Sequence, residues 1–113
     1  MLKKDFRLTK KEDFDRVFRS GKPLFFEEIA CRFVKNELSH LRIGFSFSKK
    51  HLPLAVERNR LRRIIVTAFL AHKNEWPSSV DIIFFSLKKL KKAEYKPIQA
   101  IVVRALKQMC QVQ

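Results

Sequence analysis

Four arginines, Arg58, Arg60, Arg62 and Arg63, crowd the start of the segment AVERNRLRRIIVTAFLAH, residues 55–72, and an apolar run follows them directly. A guanidinium is a planar fork that donates two hydrogen bonds to one oxyanion, so clustered arginines suit phosphate. Like charges this close repel, and the arrangement costs stability unless an anion faces it. Asn59 stands between the first two arginines, and Glu57 is the one carboxylate beside them. SKKH, residues 48–51, adds Lys49 and Lys50 just upstream. A charge run is ordinarily a solvated helix face; here nearly all charges share one sign and one helix end, which favours a phosphate backbone.

Nothing else in the chain has the spacing of a catalytic or metal-binding group. His40, His51 and His72 are scattered, with no paired arrangement, and read as surface residues or contacts to that phosphate backbone. Glu27 and Glu28 are adjacent, so on a strand they face opposite ways and make a poor acid–base pair. Cys31 and Cys110 are the only cysteines and lie far apart, which signals neither a zinc site nor a disulfide framework. Both are expected to be small apolar core residues in a reducing compartment. No catalytic residue and no metal ligand is assigned.

The elements that must position the arginines belong to a chain of 113 residues, read as a single domain over 1–113. Lys and Arg number 25 against 11 Asp and Glu, a net charge of +14. Such an excess points to a polyanionic partner, nucleic acid first and an anionic membrane surface second. The opening MLKKDFRLTK has no apolar stretch of signal-peptide type and no segment reaches membrane length, so a cytoplasmic location is expected.

TKKEDFDRVFRSGK reads as a short helix, with Thr9 as N-cap, Glu12 completing a capping box, and Gly21 supplying a left-handed stop. Phe14, Val17 and Phe18 form its apolar stripe. Residues 25–34 and 41–48 read as strands, with an extra short strand near 23–26. In LRIGFSFS, Ile43, Phe45 and Phe47 alternate with Arg42, Gly44, Ser46 and Ser48, as in a half-buried antiparallel strand. KNELSH supplies a hairpin-like turn between the two strands. A helix with Pro53 in its first turn runs to about Lys73, with Leu61, Ile64, Ile65 and Ala68 on its inner arc and Phe69 at the border. VDIIFFS is continuously apolar, an interior strand covered on both faces. A last helix begins near Pro97. The order α-β-β-(β)-α-β-α predicts a two-layer α/β (α+β) sandwich.

GFSFSKK followed shortly by AVERNRLRRIIVTAF resembles the protein component of bacterial ribonuclease P, whose hallmark is an Arg-Asn-Arg segment on a basic helix. FDRVFRSGK upstream, VDIIFF downstream and the order of elements extend the resemblance over most of the chain. Two features depart from the family pattern. HLPL stands where a short glycine-containing link is usual, and Ser86 and Leu87 stand where an arginine often follows the strand.

The resemblance implies a left-handed βαβ crossover, where periodicity alone would predict a right-handed one. It also implies a subunit that assists a catalytic RNA in Mg²⁺-dependent removal of the 5′ leader from precursor tRNA. Arg58, Asn59, Arg60, Arg62 and Arg63 match the helix that contacts the RNA subunit, with Lys49 and Lys50 extending that surface. Phe14 and Phe18 match aromatic positions lining a leader cleft. Arg32, Arg42, Ser46 and Ser48 would form its floor, since single strands favour positive charge and exposed π-faces together; for both phenylalanines, plain packing on the sheet is the alternative. The partners implied are ribonuclease P RNA and precursor tRNA, with Mg²⁺ at the RNA active site, no membrane and no protein oligomer. A non-enzymatic RNA-binding module, such as a ribosome-associated protein, is the competing reading. A peripheral membrane protein is weaker, because no apolar face is left over beside the basic helix end.

Overall fold

The computed structural model describes residues 2–90 and 94–112. After a 3-10 turn at Lys4–Phe6 come α1 (Lys11–Ser20), β1 (Lys22–Phe26), β2 (Ile29–Lys35), β3 (Arg42–Ser46), α2 (Ala55–Ala71), a second 3-10 turn at Lys73–Glu75, β4 (Val80–Ser86) and α3 (Tyr95–Val112). The sheet order is β1-β2-β4-β3. Because β4 has no polar side to offer solvent, it takes an interior position, antiparallel to β2 and parallel to β3.

That insertion corrects two expectations. The strand at 42–46 is a parallel edge strand, and residues 36–41 are not a hairpin turn, since β2 and β3 do not pair. Asn36 folds that link instead: its amide nitrogen donates to the His40 carbonyl at 3.2 Å, and its Oδ1 accepts from the Leu38 N–H at 2.9 Å. The true hairpin lies at Glu27–Glu28, where Phe26 pairs with Ile29 and splits the expected strand 25–34. Glu27 takes φ 57°, the left-handed region that such two-residue turns require.

Side chains alternate cleanly across the sheet. One face carries Ile29, Cys31, Phe33, Ile43, Ile82 and Phe84 into the main core, against Leu61, Ile65, Val66, Ala68 and Phe69 of α2 and Ile98, Val102, Ala105, Leu106 and Met109 of α3. Full burial of a side chain such as Phe69 or Phe84 contributes about 1.5–3 kcal/mol. The other face is partly covered by α1, whose Val17 joins Leu8 and Ile83 in a small second cluster with Phe14 and Val34 against it. Pro97 falls in the first turn of α3, where its missing N–H is harmless. Pro53 lies just ahead of Leu54, the N-cap of α2. Cys31 is buried, and burial pushes its thiol up to about 12. Cys110 departs from its expected core role: it follows Met109 off the apolar stripe of α3 and is exposed.

Both ends of α1 are built differently from the expectation. Its N-cap is Lys10, without a side-chain cap, so Thr9 does not fill that role. Gly21 has φ −75°, outside the left-handed region; glycine is needed there because a Cβ would lie 2.3 Å from the Val17 carbonyl oxygen. Gly44 has a comparable steric role under α1, where a Cβ would meet Phe14 Cζ at 2.9 Å and Leu8 Cβ at 3.1 Å. Gly44→Ala is therefore expected to lower stability by about 1–3 kcal/mol as the Phe14 ring is pushed off the sheet. A denaturant midpoint equal to that of the parent chain would contradict this.

Candidate nucleic-acid interface

The apolar arc of α2 fixes where its arginines point. With Leu61 and Ile65 fully buried, Asn59, Arg60 and Arg63 are exposed and Arg58 and Arg62 half-buried. Arg62 Nη1 donates to Asn59 Oδ1 at 2.6 Å, which steadies that fork on the helix surface. Among the described residues, Arg58, Arg62 and Arg63 make no ion pair with a carboxylate. Arg58 differs from the others: its Nη1 donates to the carbonyls of Leu52 at 2.7 Å and Pro53 at 3.0 Å, so it braces the loop entering α2.

Lys49 and Lys50 are exposed on a loop that is pinned from beneath. The Ser48 N–H donates to Ser86 Oγ at 3.0 Å, His51 Nδ1 lies 3.0 Å from the same oxygen, and the Lys50 N–H donates to Ser48 Oγ at 3.0 Å. Ser48 thus holds the lysine loop and lies beyond the end of β3, outside the expected sheet floor. Ser86, which departs from the family pattern, supplies the anchor. The lysines and the arginines are therefore presented from adjoining, hydrogen-bonded supports.

On the sheet face beside α1 the expected residues separate into two groups. Phe14 is half-buried against Leu8, Val17 and Ile83, so it packs on the sheet while part of its ring stays open. Phe18 is 36% exposed and meets Phe85 edge-on at 5.4 Å. Arg32 donates to the Gly21 carbonyl at 3.2 Å and so ties β2 to the end of α1. Ser46 is exposed on the floor. Arg42, expected to lend its charge to that floor, is held by Asp81 instead, with Nε to Oδ1 at 2.9 Å and Nη2 to Oδ2 at 2.7 Å, and by Asp13 at 3.3 Å. Arg16 also donates to Asp81 Oδ2, and the Asn36 amide donates to Oδ1 at 2.8 Å. Burial would raise the Asp81 carboxyl, but the Arg42 and Asn36 hydrogen bonds, the Arg42 charge and the Arg16 hydrogen bond together hold it below the usual carboxylate range.

Two rings on this face escaped the sequence reading. Register places Phe25, Ala30, Phe85 and Ser46 in one row across the sheet, on the face that α1 partly covers, where Phe18 reaches Phe85. Phe25 is 62% exposed and Phe85 half-buried. The signal was available: counting outward from a core-facing Phe84 puts Phe85 on the opposite face. The histidines each have a neighbour within the protein, His40 at the Asp5 carbonyl, His51 at Ser86 and His72 at Glu75.

Guanidinium forks at a helix end and part-exposed rings on a sheet define a basic RNA-binding protein of mixed α/β class. The family profile described as Ribonuclease P matches residues 2–110. Among curated relatives, the ribonuclease P protein component of Legionella pneumophila is 40% identical over 91 residues, covering 80% of this chain and 77% of that one. That of Pelotomaculum thermopropionicum is 31% identical over 100 residues, covering 88% of each. The solved ribonuclease P protein of Thermotoga maritima superimposes with a TM-score of 0.78 at 28% identity, covering 90% of this chain and 96% of that one. The Staphylococcus aureus ribonuclease P protein gives 0.79 at 29% identity, covering 95% and 96%. The chain belongs to the ribonuclease P protein family. It is a protein component of the tRNA 5′-processing endoribonuclease.

Proposed function

We propose that the chain grips the catalytic RNA of ribonuclease P with the basic end of α2 and receives the 5′ leader of precursor tRNA on the open part of its sheet. The carrying observation is a contrast within one molecule. Arg16 and Arg42 are matched by Asp81, while Arg58, Arg62 and Arg63 have no carboxylate partner among the described residues. Arg60, Arg62 and Arg63 with Lys49 and Lys50 are assigned to RNA phosphates, Asn59 to the same RNA subunit, and Arg58 acts through the loop it braces. Phe18 is assigned to leader bases, with Ser46 on the floor beside it. Phe14, Arg32 and Arg42 shape the cleft through α1 and the sheet, and Ser48 through the lysine loop.

In this reading Mg²⁺ is held by RNA. Among the described residues no group of three or more His, Cys, Asp or Glu side chains converges to bind a metal. The protein's share is to screen phosphate repulsion and hold the substrate, which lowers the Mg²⁺ the RNA requires. No described helix is long and apolar enough to cross a membrane, and the reading places the complex with tRNA precursors in the cytoplasm.

Reconstitution with a bacterial ribonuclease P RNA at low Mg²⁺ tests the whole proposal. Faster precursor cleavage is expected, and an unchanged rate overturns it. For the leader, Phe18→Ala is expected to weaken binding of leader-bearing precursor by about tenfold while sparing mature tRNA, the scale of one lost base–aromatic stack. Equal losses on the two RNAs would assign the ring to packing.

A further inference from the structure

A cavity of about 380 Å³ opens at the outer edge of β3, where the N-terminal segment, β3 and α2 meet. Its buried floor is apolar, made by Leu8, Ile43 and Val66 with Phe45 beside them. Around the opening stand Arg7, Asn59, Arg62 and Arg63, and no lining residue is acidic. The walls are fixed in advance: Arg7 forms a parallel bridge with Ile43, and the Leu8 N–H donates to the Ile43 carbonyl at 2.8 Å. The Arg7 and Arg63 side chains have no hydrogen-bond or ion-pair partner among the described residues.

We infer that this cavity takes one unstacked nucleotide, base against the apolar floor and phosphate among the guanidinium groups of Arg7, Arg62 and Arg63. The volume lies at the small end of ligand pockets, about 300–1,000 Å³, which suits one base with its sugar. The floor desolvates a flat ring, and the Asn59 amide nitrogen offers a donor to a base edge, its Oδ1 being engaged by Arg62. Forked donors around the mouth match a phosphate and exclude a neutral ligand of similar size. The nucleotide is either an extrahelical residue of a folded RNA, in which case the inference deepens the RNA-binding reading, or a free mononucleotide.

The full chain is titrated with AMP and, separately, with inorganic phosphate, following the amide resonances of Leu8, Ile43, Gly44 and Val66. In parallel, it is titrated with an RNA hairpin bearing one bulged adenosine and with the same hairpin fully paired. AMP binding about tenfold or more tighter than phosphate, with shifts at those amides, supports a free-nucleotide source. A preference for the bulged hairpin supports the RNA source. If AMP binds no better than phosphate and the hairpins bind alike, the inference fails. Arg7→Ala, at an exposed position, should weaken whichever ligand binds by about tenfold, the scale of one charge-assisted hydrogen bond. Unchanged affinity overturns the assignment. Val66→Phe fills the floor and should abolish base preference while leaving phosphate binding intact; a retained preference counts against the site, and Arg7→Ala decides the matter if that variant does not fold. The cleavage assay on the parent chain stands apart: stimulated cleavage without nucleotide binding overturns this inference alone, and nucleotide binding without stimulation overturns only the functional reading.

Discussion

Asp81→Ala is expected to lower folding stability by about 3–5 kcal/mol, a large share of the roughly 5–15 kcal/mol that holds a domain of this size together. The side chain is completely buried, and its two oxygens accept from Arg42, Arg16 and Asn36. Removing the carboxylate leaves the Arg42 guanidinium, only 19% exposed, without its main counter-charge and beside β4. Thermal unfolding should show a midpoint lower by roughly 15 °C or more. The sign of the pH dependence follows from a carboxyl held below its ordinary 3.8 in the folded chain. Its contribution is complete above that value and fades as pH falls from there through the lower folded value. Asp81→Asn should therefore remove an acid-dependent part of the stability curve as well as lower its plateau. A variant that melts within a few degrees of the parent would mean that water solvates the arginines as well as Asp81 does.

That cluster also shows where a sequence stops being legible. The central place of VDIIFFS could be read because a strand without a polar side must be covered twice. Which strands flank it could not, since period-2 alternation assigns faces and says nothing about neighbours. Arg42 alternates correctly with Ile43 and Phe45, yet its partner lies 39 residues away on another strand. Its charge consequently looked available when it was not. Arg58 poses the same problem in miniature: the run of arginines was plain, but a guanidinium turned back onto the Leu52 and Pro53 carbonyls depends on the path of a loop. The inner arc of α2 was clear from spacing, as was the outward set of Asn59, Arg60 and Arg63. Phe25 and Phe85 were within reach of simple parity and were hidden by the continuous hydrophobicity around them.

The second large effect falls on RNA binding. Replacing Lys49, Lys50 and Arg60 together by alanine should weaken affinity for the ribonuclease P RNA by about 100-fold at moderate salt, if each touches one phosphate. The slope of log affinity against log salt should flatten by about 0.7–0.9 for each phosphate no longer neutralised. Arg58 is left out of the set because its removal would also release the loop that carries the lysines toward α2. The decisive comparison is a control with the same change in net charge, Lys88, Lys89 and Lys107 to alanine, at exposed positions elsewhere. A protein carrying +14 attracts any polyanion over a distance set by the Debye length, and that general field weakens equally in both variants. Direct phosphate binding belongs to one set only. A larger drop in affinity for the loop-and-helix set places the RNA backbone against α2; equal drops and equal slopes for the two sets would reduce the arginine-rich end to one contributor among many to a diffuse positive field.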